Sequence, residues 1–264
     1  MDDYIRINRN SWNAKVAYHL DSEFYDMPAF LTGKTSLPNL DIELLGDING
    51  QSVLHLQCHF GQDSISLARL GAQVVGVDLS DKAIDAAKQI AEDLSCDAQF
   101  ICCDVYDLPK HLYRKFDLVY TSYGAIGWLP DLNRWAEVVS HFLKPGGSFV
   151  FVEFHPFLWV FDDDFRKIKY PYSSKDPIVE VFDGTYADTS APIQQVYVMW
   201  NHSLSDVFHA LRVQKLSIQH FEEHTYSPWP CFKDVSEFAP QKFIVPNLGK
   251  HFPYIYSIVA TKQK

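Results

Sequence analysis

Short apolar runs in this chain alternate with stretches whose apolar residues recur every three or four positions. The first complete example lies between residues 52 and 80. A short apolar run over 53–56 is typical of a buried parallel strand, and helical spacing follows over 65–70. A second, valine-rich strand over 74–77 ends at Asp78. This order predicts a βαβ unit, whose ligands bind beyond the carboxyl ends of the strands.

The same alternation continues along the chain. We predict a helix over 81–94, strands over 98–102 and 116–121, a helix over 131–143, a strand over 148–154, a helix over 203–211, and strands over 216–221 and 254–261. The Lys-Pro-Gly-Gly sequence at 144–147 predicts a turn before the fifth strand. These elements indicate an α/β protein with five strands in βα alternation and a final strand pair.

Two regions depart from this alternation. Residues 1–50 are rich in aromatic side chains and predict one or two helices outside the sheet. Within 157–200, the runs over 178–182 and 194–200 alternate like antiparallel strands, with a turn at Asp183-Gly184. We therefore expect one domain with a helical cap (1–50), a cofactor-binding core (51–156), a substrate-side insertion (157–200) and a last helix with a strand pair (201–264).

Two acids follow strands at the same edge of the predicted sheet. Asp78 lies 17 residues after Gly61, close to the spacing at which an acid accepts hydrogen bonds from ribose hydroxyls. Asp104 follows the third strand and could accept from an adenine amino group. The alternatives are structural: Asp78 caps the helix that starts near Lys82, and Asp104 caps a helical turn before Pro109. A nucleoside-containing cofactor is the functional prediction.

Composition narrows the classes of partner. The chain has 264 residues and a net charge of −10, without a basic cluster, so we expect no nucleic-acid partner. No apolar stretch approaches the roughly 20 residues of a membrane span. The first ten residues lack the apolar core of a signal peptide, so a cytoplasmic location is expected. Five cysteines without a C-x-x-C pair indicate neither a disulfide framework nor a metal site.

The combination of these motifs resembles the class I S-adenosylmethionine-dependent methyltransferases. VLHLQCHFG, residues 53–61, resembles the first glycine-rich motif, usually VLDLGCGTG; Gly61 is retained, while Gln57 and His59 replace the other glycines. One branch of small-molecule methyltransferases has a similar LQCHFGQD turn. VVGVDLS resembles the ribose motif, CCDVYDLP the adenine motif, FDLVYTSYGAIGWLPD the fourth motif, and LKPGGSFVFVE the following turn and strand.

The resemblance implies a seven-stranded Rossmann-like sheet with helices on both faces, a last strand that is antiparallel, a helical cap and an antiparallel insertion after strand 5. The implied cofactor is S-adenosylmethionine, with S-adenosylhomocysteine as product. The implied cofactor-binding residues are Gln57, Cys58, His59, Gly61, Asp78, Leu79, Asp104, Val105, Ser122 and Tyr18.

The predicted reaction is transfer of a methyl group to a small-molecule acceptor, by in-line displacement in an enclosed site. His155 and His202 are the candidate bases, and Tyr123 is the candidate for orienting the acceptor or the methyl group; each can instead be structural. Aromatic residues in the insertion favour an apolar or ring-bearing acceptor, and the protein is expected to be a monomer or homodimer.

Two alternatives to this reaction remain. A non-catalytic S-adenosylmethionine-binding regulatory or scaffold protein would share the fold and the cofactor. An NAD-binding protein would require G-x-G-x-x-G, which QCHFGQ at residues 57–62 does not match.

Overall fold

Seven α-helices and eleven strands lie within residues 3–263, which the computed structural model describes. The helices are α1 (Asp3–Leu20), α2 (Met27–Leu31), α3 (Asn39–Leu45), α4 (Gln62–Arg69), α5 (Asp81–Asp93), α6 (Leu132–Phe142) and α7 (Leu204–Val213). The strands are β1 (Ser52–Leu56), β2 (Gln73–Asp78), β3 (Ala98–Cys102), β4 (Phe116–Ser122), β5 (Leu143–Phe154), β6 (Ile178–Asp183), β7 (Gln194–Met199), β8 (Leu216–His224), β9 (Ser236–Ala239), β10 (Lys242–Ile244) and β11 (Ile255–Lys262).

The main sheet has seven strands in the order β3-β2-β1-β4-β5-β11-β8. Strands β1 to β5 pair in parallel, and β11 is antiparallel to both of its neighbours. The predicted seven-stranded Rossmann-like sheet is therefore confirmed. The strand order reverses between β1 and β4, and ligands of such sheets bind at the carboxyl ends of the strands next to this switch point.

Helices cover both faces of the sheet because successive residues of each strand point to opposite sides. Leu54 belongs to one buried cluster, which contains Trp135 of α6 and Val207 of α7. Its neighbour Val53 belongs to another cluster on the opposite face, with Leu67 of α4. The central strands are thus covered on both sides, as their continuous apolar runs predict.

The fifth strand begins earlier than the sequence predicts. Phe116 of β4 pairs with Leu143, whereas Leu118 pairs with Ser148, so β5 carries extra residues between these pairs. Gly146, with φ of +80°, lies among them. The Lys-Pro-Gly-Gly sequence is therefore an irregular start of the strand rather than a turn before it.

The peripheral elements also differ in detail. The N-terminal region has three helices rather than one or two. The predicted antiparallel insertion is present as the pair β6–β7, but a loop over 184–193 joins its strands, not a tight turn at Asp183-Gly184. A further pair, β9–β10, lies between the two strands predicted over 216–221 and 254–261.

Helix α1 packs against the insertion through polar side chains. The Asn8 amide donates to the carbonyl of Val198 (2.8 Å) and accepts from the N–H of the same residue (2.9 Å). Ser11 Oγ donates to Gln195 Oε1 at 2.9 Å. Since Val198 and Gln195 belong to β7, the cap and the insertion are joined directly. Among residues 3–263, no helix is long and apolar enough to span a membrane.

Candidate cofactor and acceptor site

The chain leaves β1 through a tight turn over residues 57–61. Gln57, His59 and Gly61 have φ of 58°, 51° and 82°. A Cβ on Gly61 would lie 2.7 Å from the Phe100 ring and 2.9 Å from Ala87, so no other residue fits there without displacing them. This explains why Gly61 alone remains of the three glycines that the family motif usually has.

Asp78, at the end of β2, joins the turn to the following loop. Its carboxylate accepts hydrogen bonds from the N–H groups of His59 and Ser80, both at 2.8 Å. Burial raises the pKa of this carboxyl. Ser80, not Asp78, caps α5, since Ser80 Oγ accepts from the N–H of Ala83 at 3.0 Å. The helix-capping alternative for Asp78 is therefore wrong.

Two residues of the predicted adenine motif, Asp104 and Val105, lie at the start of a short 3₁₀ helix over Val105–Lys110. Asp104 caps this helix, because its Oδ1 accepts from the N–H of Tyr106 at 2.9 Å. The predicted structural alternative, in which Asp104 caps a helical turn, is therefore observed for Oδ1. The other carboxylate oxygen, Oδ2, takes no part in this capping bond. Val105 is buried, and Leu79 is half-buried with its carbonyl 3.2 Å from Arg9 Nε of α1. Their contact with adenine stays a prediction.

Gln57 presents a buried acceptor to the site. Its Nε2 donates to the carbonyl of Ala125 at 2.6 Å, whereas its Oε1 is buried and has no hydrogen-bond partner among residues 3–263. An unpaired buried acceptor costs about 1–3 kcal/mol. The group therefore suits a ligand that donates a hydrogen bond, such as an amino group.

The remaining predicted cofactor residues are Cys58 in the turn, Ser122 at the end of β4 and Tyr18 on α1. Cys58 is buried, its N–H donates to the carbonyl of Val77 (2.9 Å), and burial raises the pKa of its thiol well above the usual value. Ser122 Oγ lies 3.5 Å from Asp63 Oδ2. Tyr18 is half-buried on α1.

Glu153 fixes the loop that follows β4, and the sequence predictions did not include it. Its buried carboxylate accepts from the N–H groups of Ala125 (2.8 Å), Ile126 (3.1 Å) and Phe154 (2.6 Å), and from that of Gly124. Burial raises the pKa of Glu153, while these four bonds oppose the rise. An acid inside the apolar run FVFVEF was the available signal for a buried role.

The two predicted bases already have protein partners. His155 Nε2 lies 2.9 Å from Glu223 Oε1, and its Nδ1 accepts from the N–H of Phe157 at 3.1 Å. His202 Nε2 donates to the carbonyl of Leu129 at 2.7 Å. Burial lowers the pKa of both imidazoles. Their catalytic role stays a prediction.

Tyr123 lies under the cap, bound to a buried acid. Its hydroxyl donates to Asp41 Oδ2 at 2.6 Å, and Tyr120 donates to the other oxygen of Asp41. Burial raises the pKa of Asp41 to about 7, against the hydrogen bonds from the two tyrosines. The Tyr123 ring also contacts Trp229 edge-on, with centroids 6.4 Å apart. Tyr123 thus connects the loop after β4 to α3.

A pair of histidines lies at the centre of the site, and the sequence predictions did not pair them. His19 Nδ1 and His59 Nε2 are 2.8 Å apart, while His19 Nε2 and His59 Nδ1 are buried without partners among residues 3–263. Burial lowers the pKa of His19 to about 3 and that of His59 well below its usual value. In either tautomer of this neutral pair, one outer nitrogen presents an N–H and the other a lone pair.

Aromatic residues of the cap and the insertion close over this pair. Tyr25 and Tyr186 bond through their hydroxyls, and their ring centroids lie 5.2 and 4.8 Å from that of His19. Asp63 and Asp78 are surrounded by protein, which raises the pKa of each, yet both keep accessible surface. The turn, the cap and the insertion therefore pack against one another around the histidine pair.

The part of the chain that contains strands β1 to β4 is similar to known proteins. Residues 53–147 match the family described as methyltransferase domain. An uncharacterized methyltransferase of Synechocystis sp. is 37% identical over 131 residues, which are 49% of this chain and 59% of that protein. The ubiquinone biosynthesis O-methyltransferase of Coxiella burnetii is 36% identical over 104 residues, 39% and 44% of the two chains.

One relative has a different kind of substrate. The tRNA 5-carboxymethoxyuridine methyltransferase of Escherichia coli is 36% identical over 102 residues, 37% of this chain and 39% of that protein. The chain thus spans about two fifths to three fifths of the length of these relatives. They support the predicted methyltransferase and leave the acceptor open.

Solved structures share the fold over most of the chain. One from Listeria monocytogenes covers 85% of this chain and 97% of its own, with a TM-score of 0.61 and 22% identity. An S-adenosylmethionine-dependent methyltransferase from Mesorhizobium loti covers 88% and 100%, with a TM-score of 0.57 and 20% identity. At these identities the likeness establishes the Rossmann-like methyltransferase fold.

Proposed function

We propose that this protein transfers a methyl group from S-adenosylmethionine to a small-molecule acceptor. The observation that carries the proposal is the turn over 57–61, with Asp78 bonded to it at the switch point of the sheet. Its left-handed residues, the close approach at Gly61 and the unpartnered Gln57 Oε1 all fit a ligand that lies against the backbone. The match of residues 53–147 to the methyltransferase domain family also supports the proposed methyl transfer.

S-adenosylmethionine, when bound, supplies a methyl group on a sulfonium. The turn would hold its methionine part, with Gln57 accepting from the amino group. Asp78 would accept from the ribose hydroxyls, and Asp104 and Val105 would contact the adenine. Because Asp78 already holds the N–H groups of His59 and Ser80, its carboxylate is oriented before the ligand arrives.

Helix α1 and the insertion support an enclosed reaction. In-line displacement depends on alignment of the reacting atoms, and exclusion of water favours loss of the sulfonium charge. Asn13 of α1 accepts from Ser80 Oγ (2.6 Å) and donates to Asp81 (2.8 Å), so the cap lies over the loop after β2. Tyr123 remains our candidate for orienting the acceptor. For His155 and His202, the predicted bases, we favour the structural alternative, since both already bond to protein groups.

Two observations favour a small molecule over RNA. Helix α1 is bonded to both the loop after β2 and strand β7, an arrangement that suits a small acceptor better than a base attached to a folded polynucleotide. The net charge of −10 opposes a phosphate backbone. Filter binding of bulk tRNA at low salt tests this choice. Saturable tRNA binding that weakens steeply with salt would contradict a small-molecule acceptor.

Calorimetric titration with S-adenosylhomocysteine tests the cofactor. We expect Asp78→Asn to weaken binding by tenfold to a hundredfold, because charge-assisted hydrogen bonds contribute about 1.5–3 kcal/mol. Asp85→Asn, exposed on α5, should change the Kd less than twofold. Absence of binding to folded wild type that is free of copurified ligand would overturn the proposal.

The regulatory or scaffold alternative shares the cofactor and predicts binding without turnover. Incubation with radiolabelled S-adenosylmethionine and a panel of phenols, amines and organic acids separates the two. Labelled product with any acceptor supports the enzyme. Tight S-adenosylhomocysteine binding with no product across the panel would favour the non-catalytic protein.

A further inference from the structure

A buried cation lies next to the site without an acid partner. Lys15 of α1 has 5% of its surface exposed and forms no ion pair with any carboxylate among residues 3–263. Its Nζ lies 4.4 Å from the ring centroid of Trp12, 5.3 Å from that of Trp128 and 5.8 Å from that of Tyr197. The contacts of the Lys15 ammonium are therefore with aromatic rings.

The rings offset only part of the loss of hydration. Cation–π contacts stabilise a buried ammonium, but a charge without a counterion remains costly in a protein interior. Burial lowers the pKa of Lys15 to about 8, which still leaves it mostly charged at neutral pH. Although the chain has a net charge of −10, none of its described carboxylates pairs with the Lys15 ammonium. This cation therefore has room for an external anion as its counterion.

The three rings that surround the Lys15 ammonium come from three different segments. Trp12 belongs to the cap, Trp128 to the 3₁₀ turn after the loop that Glu153 fixes, and Tyr197 to β7 of the insertion. Trp12 also contacts the His59 ring, with centroids 5.2 Å apart. Lys15 therefore lies where cap, insertion and the loop after β4 meet.

We propose that Lys15 binds the carboxylate of the methyl acceptor, and that the acceptor is an aromatic acid. This rests on the proposed function, which leaves the acceptor open. The carboxylate supplies the missing counterion, and Trp12, Trp128 and Tyr197 provide ring contacts for the rest of the molecule. The methionine carboxylate of the cofactor is the competing anion, and the experiment separates the two.

The experiment compares acids with their uncharged amides. Benzoate, cinnamate and indole-3-acetate are each titrated beside the matching carboxamide, with and without saturating S-adenosylhomocysteine. We expect wild type to bind at least one acid tenfold or more tighter than its amide. Lys15→Met keeps the length of the stem but removes the charge, and should reduce that ratio to below twofold. Lys15→Arg should keep the preference, and so should Lys82→Met, which removes an exposed lysine.

Each other outcome contradicts the proposal in a distinct way. If Lys15→Met weakens S-adenosylhomocysteine tenfold and leaves acid preference intact, Lys15 binds the cofactor. If wild type prefers none of the acids, the site does not recognise an aromatic carboxylate. If S-adenosylhomocysteine fails to bind wild type, the proposed function fails and the assignment of a methyl acceptor fails with it. The titrations without S-adenosylhomocysteine then show whether Lys15 binds an aromatic carboxylate in another role. Should Lys15→Met not fold, Lys15→Gln replaces it.

Discussion

The carboxyl edge of the sheet and the cap above it bury their polar side chains in different ways. At the edge, Asp78 and Glu153 accept from backbone N–H groups, so their partners are fixed by the backbone of the sheet and its loops and not by another side chain. In the cap, His19 bonds His59 across 40 residues, and Tyr25 bonds Tyr186 across 161. These cap contacts exist only while distant segments are docked.

The edge of the sheet is therefore the rigid part of the site, whereas the arrangement of the cap depends on the docking of distant segments. Backbone partners are fixed once the sheet has formed, so the edge is pre-organised for a ligand. Side-chain pairs between segments are lost together when one segment moves. Four changes test this division, and they are given in order of decreasing expected effect.

The largest effect is expected for Glu153→Ala. It leaves four backbone N–H groups without their acceptor, three of them in the loop after β4. We expect the free energy of unfolding to fall by about 3–5 kcal/mol in urea titration. Glu222→Ala, exposed on β8, should change it by less than about 0.5 kcal/mol. Equal changes in both variants would show that the loop does not depend on Glu153.

The second test uses the pH dependence of Asp41, which connects the two regions. Its pKa is about 7 in the folded protein against a usual 3.8, because of burial. The folded state therefore holds the proton more tightly, and this contribution to stability is lost as pH rises from about 4 through 7. Relative to Asp41→Asn, wild type should lose up to about 1.4 kcal/mol per pH unit in that window. Urea midpoints at pH 5, 6 and 8 that shift in parallel would contradict the raised pKa.

The third test detaches the cap from the insertion. Asn8→Ala removes both hydrogen bonds to Val198 and should lower the free energy of unfolding by about 1–3 kcal/mol. Limited proteolysis should then cut the loop over 184–193 faster. Asn10→Ala, exposed on the same helix, provides the control. If both variants are cut at the wild-type rate, the insertion holds its place without α1.

The smallest effect is expected at the two histidines predicted as bases. Glutamine can replace the hydrogen bonds of His155 to Glu223 and of His202 to Leu129. We therefore expect each glutamine variant to lose less than tenfold in kcat/KM, or about 1.4 kcal/mol. His141→Gln, exposed on α6, is the control. A hundredfold loss with an unchanged urea midpoint would identify the affected residue as the base.

The sheet and the turn after β1 were predictable because their signals are local. Apolar periodicity located all seven strands of the main sheet, and the acid after β2 together with Gly61 located the turn. The prediction was wrong at the start of strand β5, because the sequence Lys-Pro-Gly-Gly is typical of a turn. Only the register against β4 shows that these residues extend the strand.

The centre of the site was not predictable for the opposite reason. The sequence predicts His59 as a residue of the cofactor turn and gives His19 no role in the site. Nothing in the spacing of 40 residues shows that their rings meet. Lys15 likewise looks like an ordinary helical lysine until Trp128 and Tyr197 are brought beside it.

Helix α1 holds both the loop after β2, through Asn13, and strand β7, through Asn8 and Ser11. Under the proposed function, a molecule bound beneath α1 would be held by segments that these bonds join. We therefore expect product release to be slower than the chemical step, which would appear as a burst of product in the first turnover followed by a slower steady rate.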